Sequence, residues 1–504
     1  MAAMIERAGG SAVRIPASKM LIDGQWCDAA DGRTIPVFDP ATEDKIADIA
    51  AAGAADVDRA VRAAHRTFES ALWQKMRPLD RGRILEKLAL LIERDAEELA
   101  RLETLDNGKP YAVSKNIDMK FAVDALRYYG GWSSKMAGEY IQLSPFFNDG
   151  GTYRAYTERK PVGVVGGITP WNFPLGQAIQ KIAPAIAFGC TIVLKPSEEA
   201  SLTTLRLGEL ILEAGIPDGA INIVTGYGHE AGQALVDHPL VRKIAFTGST
   251  ATGQKILESS ARQMKRVTLE LGGKSPTIVL ADADLDKAIP GAANAIFPNS
   301  GQVCTAGSRL LIEASVFDEV TRGVARIARE LKLGNGFDPS VHLGPLISAR
   351  QMDRVSSLVA SGVEQGAEPL CGGERDVRKG YFYRPTVLTG GRPDMRIARE
   401  EVFGPVVLAM PINDLRQVKS LANDTEFGLG ASIWTSNLDK AHLLASQIDC
   451  GTVWINTHNV LDVAMPFGGT KLSGLGREFG TEAVHAYTEP RAVCMRLETA
   501  DFGG

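Results

Sequence analysis

The spacing of apolar positions changes several times along this chain. Between residues 20 and 40 short runs predict strands, with a turn at Asp31-Gly32. From Ala55 to about Trp132 the spacing is helical, as in Ala60, Val61, Ala64, Phe68 and in Ile84, Leu88, Leu91, Ile92. Asp80 is placed to cap the second of these helices. Residues 152–159 then alternate like a strand, and Pro161 to Ile168 reads as a buried one. Onward to about 280, strand-length apolar runs (164–168, 190–195, 221–224, 243–247, 266–271) alternate with helical ones (174–187, 201–214, 229–236, 249–262). Such alternation predicts an α/β fold with a parallel, doubly wound sheet and right-handed crossovers. A second α/β segment, 272–470, opens on the buried strand Thr277-Ile278-Val279-Leu280. Ala492 to Leu497 reads as a strand without a local partner. With the 150–160 ribbon it either pairs between subunits or folds onto its own domain.

At 504 residues the chain is too long for one core, so two or three domains are expected. Its net charge of -5, without a basic stripe, points away from nucleic acid and anionic membranes. The longest mostly apolar run, 182–194, contains Pro184 and is too short to span a bilayer. Cys27, Cys190, Cys304, Cys371, Cys450 and Cys494 lie far apart, with no C-x-x-C and no His at zinc spacing. Neither a disulfide framework nor a metal site is expected. The stretch Met1 to Arg7 lacks the apolar core of a secretory leader. A reduced cytoplasm fits these features.

Candidate chemistry gathers at the ends of the predicted strands. Gly301-Gln302-Val303-Cys304-Thr305-Ala306-Gly307 sets one thiol in a small-residue turn, where a nucleophile can be approached closely. Asn172, in Pro170-Trp171-Asn172-Phe173-Pro174, is a candidate oxyanion donor or a turn-satisfying amide. Glu270, flanked by leucines before Gly272-Gly273, suits a general base if apolar surface raises its pKa; otherwise it lies on a polar strand face. Gly248-Ser249-Thr250 at a strand-to-helix junction fits a phosphate site or a well-made cap. Lys195 and Glu198, after a strand, fit ribose hydroxyls or a solvated loop. The dinucleotide fingerprint is absent in its usual form, since Gly226 to Gly232 holds one residue too many. Glu400 to Pro405 and Pro466 to Gly474 each set an aromatic beside glycine.

Taken in order, P-W-N-F-P, K-P-S-E, F-T-G-S-T, L-E-L-G-G-K, G-Q-V-C, E-V-F-G-P-V and P-F-G-G-T-K-L-S-G resemble the aldehyde dehydrogenase superfamily, from about residue 20 to 497. The resemblance implies a Rossmann-like nucleotide-binding domain (20–142 and 161–271), a catalytic domain (272–470) and an oligomerisation ribbon (143–160 and 486–499). It also implies roles for particular residues. Cys304 would be the nucleophile, Glu270 the base, and Asn172 with the Cys304 N–H the oxyanion hole; Lys181 and Glu478 match a proton path. Lys195, Ser197, Glu198, Gly228, Gly248, Ser249, Trp171, Glu401 and Phe403 would meet the cofactor. The substrate tunnel would be lined by Phe173, Gln177, Gln180, Phe297, Val303, Thr305, Leu461 and Phe467.

The implied reaction oxidises an aldehyde through a cysteine thiohemiacetal and a thioester, with NAD favoured and NADP possible, in a homodimer or homotetramer. Glu198 would repel a 2′-phosphate. Apart from Lys181, no cation lies among the tunnel positions, and Trp and Tyr are scarce there. A neutral aromatic or medium aliphatic aldehyde is therefore favoured over a semialdehyde or betaine aldehyde. The segment Asn456 to Phe467 resembles that of bacterial phenylacetaldehyde dehydrogenases, while Pro298 stands where the family often has an aromatic. Two other classes stay open: a cofactor-free cysteine hydrolase, with His458 the nearest base, and a silent structural homologue. A CoA-acylating relative fits less well, because Glu270 offers water a base.

Overall fold

The computed structural model describes residues 3–6, 12–16, 18–144, 146 and 151–497. Residues 145, 147–150 and 498–499 of the expected ribbon lie outside these, as do Met1, Ala2 and Arg7. The first sheet has eight strands in the order Gly474–Leu475, Arg266–Glu270, Val241–Thr247, Val164–Ile168, Thr191–Lys195, Ile221–Ile223, Met20–Ile22, Gln25–Cys27. The central five are parallel, and the outer ones pair antiparallel. Alternate residues enter two different cores. Val165, Ile192 and Leu194 pack against helices that include Leu85, Leu126, Ile179 and Leu205. Val164, Val193 and Ile244 pack on the other face against Val57, Leu235 and Ile256. Burial on both faces is why these strands read as unbroken apolar runs.

Strand Arg266–Glu270 leads through residues 271–275 into Pro276–Val279 of a second, seven-stranded sheet. Its order is Glu368–Cys371, Thr386–Thr389, Val406–Ile412, Arg309–Glu313, Pro276–Val279, Gly430–Trp434, Thr452–Ile455, parallel except for the first pair. The carboxy-terminal strand has a partner in its own chain: Thr488–Leu497 pairs antiparallel with Thr152–Pro161 along its whole length. Tyr140–Ile141 adds the third strand. Among the described residues no helix is long and apolar enough to cross a membrane.

Two local expectations are corrected. Asp80 does not cap its helix: Pro78 occupies the first turn of Pro78–Arg94, Arg77 is the N-cap, and Asp80 accepts from the Arg77 Nε at 2.7 Å. The predicted helix 229–236 begins instead as a π-helical turn, Gly228–Gly232, before Gln233–Asp237. A π turn takes up one extra residue, and so absorbs the one that spoils the glycine fingerprint. Gly226 is needed beneath it, because a Cβ there would lie 2.7 Å from the Ala231 Cβ.

Candidate active site

The thiol loop follows helix Leu285–Ile296 and the turn Pro298–Gly301. Asn299, Ser300 and Gly301 take φ of 50°, 54° and 72°, three left-handed residues in succession. Side chains hold this strained turn. Gln302 Nε2 donates to the Asn299 carbonyl at 3.1 Å, Gln302 Oε1 accepts from the Ile347 N–H at 2.9 Å, and Ser300 Oγ donates to the Gly344 carbonyl at 2.7 Å. A Cβ on Gly301 would lie 2.0 Å from the Gly404 carbonyl oxygen. Gly301→Ala should therefore destabilise the protein by about 2–3 kcal/mol, seen as a lower urea midpoint. An unchanged midpoint would contradict the packing described.

Cys304 is half-buried and packs with Leu429, Phe467, Phe479 and Phe121. Burial pushes its thiol up to about 12, and the charges of Glu270 and Glu401 act in the same direction. A Cβ on Gly273 would lie 2.4 Å from the Cys304 carbonyl, so the exit of the Glu270 strand lies directly against the thiol loop. Asn172, at the end of strand Val164–Ile168, joins the same loop. Its Nδ2 donates to the Gln302 carbonyl at 3.0 Å, while its buried Oδ1 has no partner among the described residues.

Glu270 is 3% exposed, and among the described residues neither of its oxygens has a hydrogen-bond partner. Burial raises its pKa well above the ordinary range, and the Glu478 charge adds to this; Lys181 and Arg477 oppose it. Gly468 makes room for the carboxylate, since a Cβ there would lie 2.6 Å from Glu270 Oε1. Behind it, Lys181 pairs with Glu478 and donates to Thr247 Oγ1 at 2.7 Å. Gln180 spends its amide on Glu478 and belongs to this buried network rather than to a tunnel wall.

Other residues cluster where the sheets meet. Gly273 N–H donates to Glu401 Oε1 at 2.9 Å, and a Cβ on Gly272 would lie 2.2 Å from Glu401 Oε2. Burial pushes Glu401 up to about 7. Phe403, at φ 56°, stands edge-to-face with Trp171, with ring centroids 5.3 Å apart. Lys195 is buried at its strand end, donating to the Pro196 carbonyl at 2.9 Å and pairing with Glu198 at 3.2 Å. Burial lowers its pKa, and Glu198 opposes that. Ser197 Oγ accepts from the Glu199 N–H at 3.3 Å. Ser249 caps helix Thr250–Ala261 and stays exposed beside Gly248, while Gly228 faces open space.

The expected tunnel residues divide. Phe173, Gln177, Val303 and Phe467 are buried or half-buried, with Gln177 Oε1 unpartnered among the described residues, and Leu461 is 41% exposed. Thr305 is buried and donates to Asn459 Oδ1 at 2.6 Å. Phe297 is 2% exposed and packs with Ile296, Ala293 and Leu310 in the second sheet's core, beside the exposed Pro298. Lys109, Asn299, Arg477, Phe121 and Phe479 were not singled out from sequence. The one hint for Lys109 is its place in Asn107-Gly108-Lys109-Pro110, a helix stop. His458 is committed elsewhere. Its Nε2 donates to the Thr305 carbonyl at 2.9 Å, its Nδ1 meets Ser432 Oγ at 2.8 Å, and burial lowers its pKa to about 4. A hydrolase reading therefore lacks its imidazole base.

Doubly wound sheet and thiol-bearing loop together define an oxidoreductase of Rossmann-like architecture. The sequence model of the aldehyde dehydrogenase family matches residues 26–493. The chain is 47% identical to phenylacetaldehyde dehydrogenase of Pseudomonas fluorescens, covering 96% of each. It is 43% identical to retinal dehydrogenase 2 of Homo sapiens, covering 96% of this chain and 93% of that one. A solved NAD+ complex of aldehyde dehydrogenase from Bacillus cereus superimposes with a TM-score of 0.93 at 46% identity, covering 95% and 96% of the two chains. The chain belongs to the aldehyde dehydrogenase family and is an NAD(P)-dependent aldehyde dehydrogenase.

Proposed function

We propose that this enzyme oxidises a neutral aromatic, phenylacetaldehyde-like, or medium aliphatic aldehyde, and prefers NAD to NADP. The observation that carries the substrate reading is the apolar surround of Cys304, made by Phe121, Phe467, Phe479 and Leu429. Such a surround favours an uncharged ring or chain over a carboxylate, whose desolvation costs several kcal/mol, on the order of the effective penalty for a buried ion. The cofactor preference rests on Glu198, whose carboxylate at a strand's carboxyl end accepts from a ribose hydroxyl and repels a 2′-phosphate. A dinucleotide fits the residues present: Gly228 leaves open space, and the start of helix Thr250–Ala261 offers Gly248 and Ser249 to phosphate. Lys195 and Ser197, with Glu198, would hold the adenosine ribose; Glu401, Phe403 and Trp171 would hold the nicotinamide end. When bound, the nicotinamide supplies the hydride acceptor.

The chain's own residues do the rest. The Cys304 thiol passes its proton to water as its sulfur adds to the aldehyde carbon. The oxyanion is held by the remaining N–H of the Asn172 amide and by the Cys304 N–H. After hydride departure the carbonyl reforms as a thioester on Cys304. Glu270 takes a proton from water, and the resulting attack releases the carboxylate and the thiol. Burial raises the Glu270 pKa above the ordinary carboxylate range, which strengthens the ionised form as a base. Glu478 and Lys181 carry the proton onward. The same reading places the sheets in two domains with the bounds given above, and makes Thr152–Pro161 and Thr488–Leu497 the ribbon of a homodimer or homotetramer. Six free cysteines accord with the reducing cytoplasm proposed as its compartment.

A panel of aldehydes, read as NADH and NADPH formation, tests this. Phenylacetaldehyde and hexanal with NAD should give the highest kcat/KM. A preference for succinic semialdehyde or betaine aldehyde, or faster NADPH formation, would overturn the assignment.

A further inference from the structure

Lys109 is 1% exposed and sits just past helix Ala96–Asn107. Burying an ammonium is costly unless every proton finds an acceptor. Here all three do. Nζ donates to Asp118 Oδ2 at 2.6 Å, to Glu103 Oε1 at 3.3 Å and to the backbone carbonyl of Asn172 at 2.8 Å. It also lies 4.3 Å from the centroid of the Phe173 ring. The charge pairs alone would satisfy a structural lysine; the third bond reaches into the candidate oxyanion site.

Its neighbours grip the same segment. Asn107 Nδ2 donates to the Trp171 carbonyl at 2.7 Å, and the Leu175 N–H donates to Glu103 Oε2 at 3.3 Å. From the thiol loop, Asn299 Nδ2 donates to the Asn172 carbonyl at 3.2 Å and to the Gln302 carbonyl at 3.3 Å. Both lone pairs of the Asn172 carbonyl are thus taken, one from each side. The Gln302 carbonyl that Asn299 meets is the one that receives the Asn172 amide. Backbone and side chain of Asn172 are therefore fixed against one frame.

We propose that Lys109 is a positioning residue. Through the Asn172 carbonyl, with Asn107, Glu103 and Asn299, it sets where the Asn172 amide points when the substrate oxyanion forms. The inference rests on the reading of Asn172 as oxyanion donor. It predicts a particular selectivity. Addition to an aldehyde creates an oxyanion, whereas alkylation of Cys304 by iodoacetamide displaces iodide and creates none.

Lys109→Met should lower kcat/KM for phenylacetaldehyde by about 10- to 100-fold, the scale of a misplaced catalytic group. Alkylation of Cys304 by iodoacetamide should stay within about twofold of wild type, since it needs no such orientation. Added to Asn172→Ala, the change should cost less than about threefold more, because residues that act as one unit are not additive. Multiplicative losses in the double variant, or equal losses in oxidation and alkylation, would overturn the clamp and leave the oxyanion reading standing. Full activity of Asn172→Ala would overturn both. If Lys109→Met does not fold, Asn299→Ala removes the opposite bond and must show the same split between oxidation and alkylation; equal losses there overturn the clamp.

Discussion

Cys304→Ala is expected to abolish aldehyde oxidation, with kcat falling on the order of 10⁴- to 10⁶-fold, the scale set by loss of a catalytic nucleophile. An aldehyde has no leaving group but hydride, so the tetrahedral adduct on sulfur is what makes hydride transferable. The variant should still bind NAD, because the residues assigned to the cofactor do not include the thiol. Single-turnover NADH formation, read beside fluorescence titration with NAD, checks both halves. Residual turnover within a hundredfold of wild type would mean that Cys304 is not the nucleophile. The other five cysteines serve as an internal control, since none stands among the residues gathered around Glu270 and Asn172.

Glu270→Gln should separate the two halves of the reaction. Acylation needs the thiol and the oxyanion donors; deacylation needs a base for water. One equivalent of NADH per active site should form quickly, followed by turnover slowed about 10²- to 10⁴-fold, the range for a lost general base. The pH profile gives the sign. Burial raises the Glu270 pKa, so the base is lost as pH falls through that raised value, and the acid limb of kcat should lie above the ordinary carboxylate range. In Glu270→Gln that limb should vanish. Linkage points the same way. A carboxyl group whose pKa is raised on folding contributes stability that fades as pH rises past its unfolded value. Glu270→Gln should therefore gain in Tm relative to wild type at pH 8 but not at pH 4. Absence of the NADH burst would remove Glu270 from the deacylation step.

Much of the first sheet was legible because its physics is local. Helix Pro174–Ala187 follows a proline at its first turn, and strands such as Thr191–Lys195 are apolar on both faces. What was not legible is non-local. Thr488–Leu497 pairs with Thr152–Pro161, far away in the sequence, and no spacing rule reports that. Lys109 was not singled out, because one charged letter does not reveal three buried acceptors. Phe297 lies near Cys304 in sequence, but its place in the second core, with Pro298 exposed beside it, is set by packing that spacing does not report. Placement of Asn172, Cys304 and Glu270 at adjoining turns agrees with the order of the motifs, but the hydrogen bonds that hold those turns had no signature.

Glu270 closes one sheet, and six residues later Pro276 opens the next. On its other side, Glu270 is paired with Gly474, and Leu271 N–H donates to the Ser473 carbonyl at 3.0 Å. Any rocking of one sheet against the other has its shortest lever arm at this double tether. The loop Asn456 to Leu461 is tied to the same centre, since Asn459 Oδ1 accepts from Thr305 Oγ1 at 2.6 Å and His458 Nε2 donates to the Thr305 carbonyl at 2.9 Å. A small rotation between the sheets would therefore leave the spacing of base and thiol loop conserved, as the jaws of pliers open without moving the rivet.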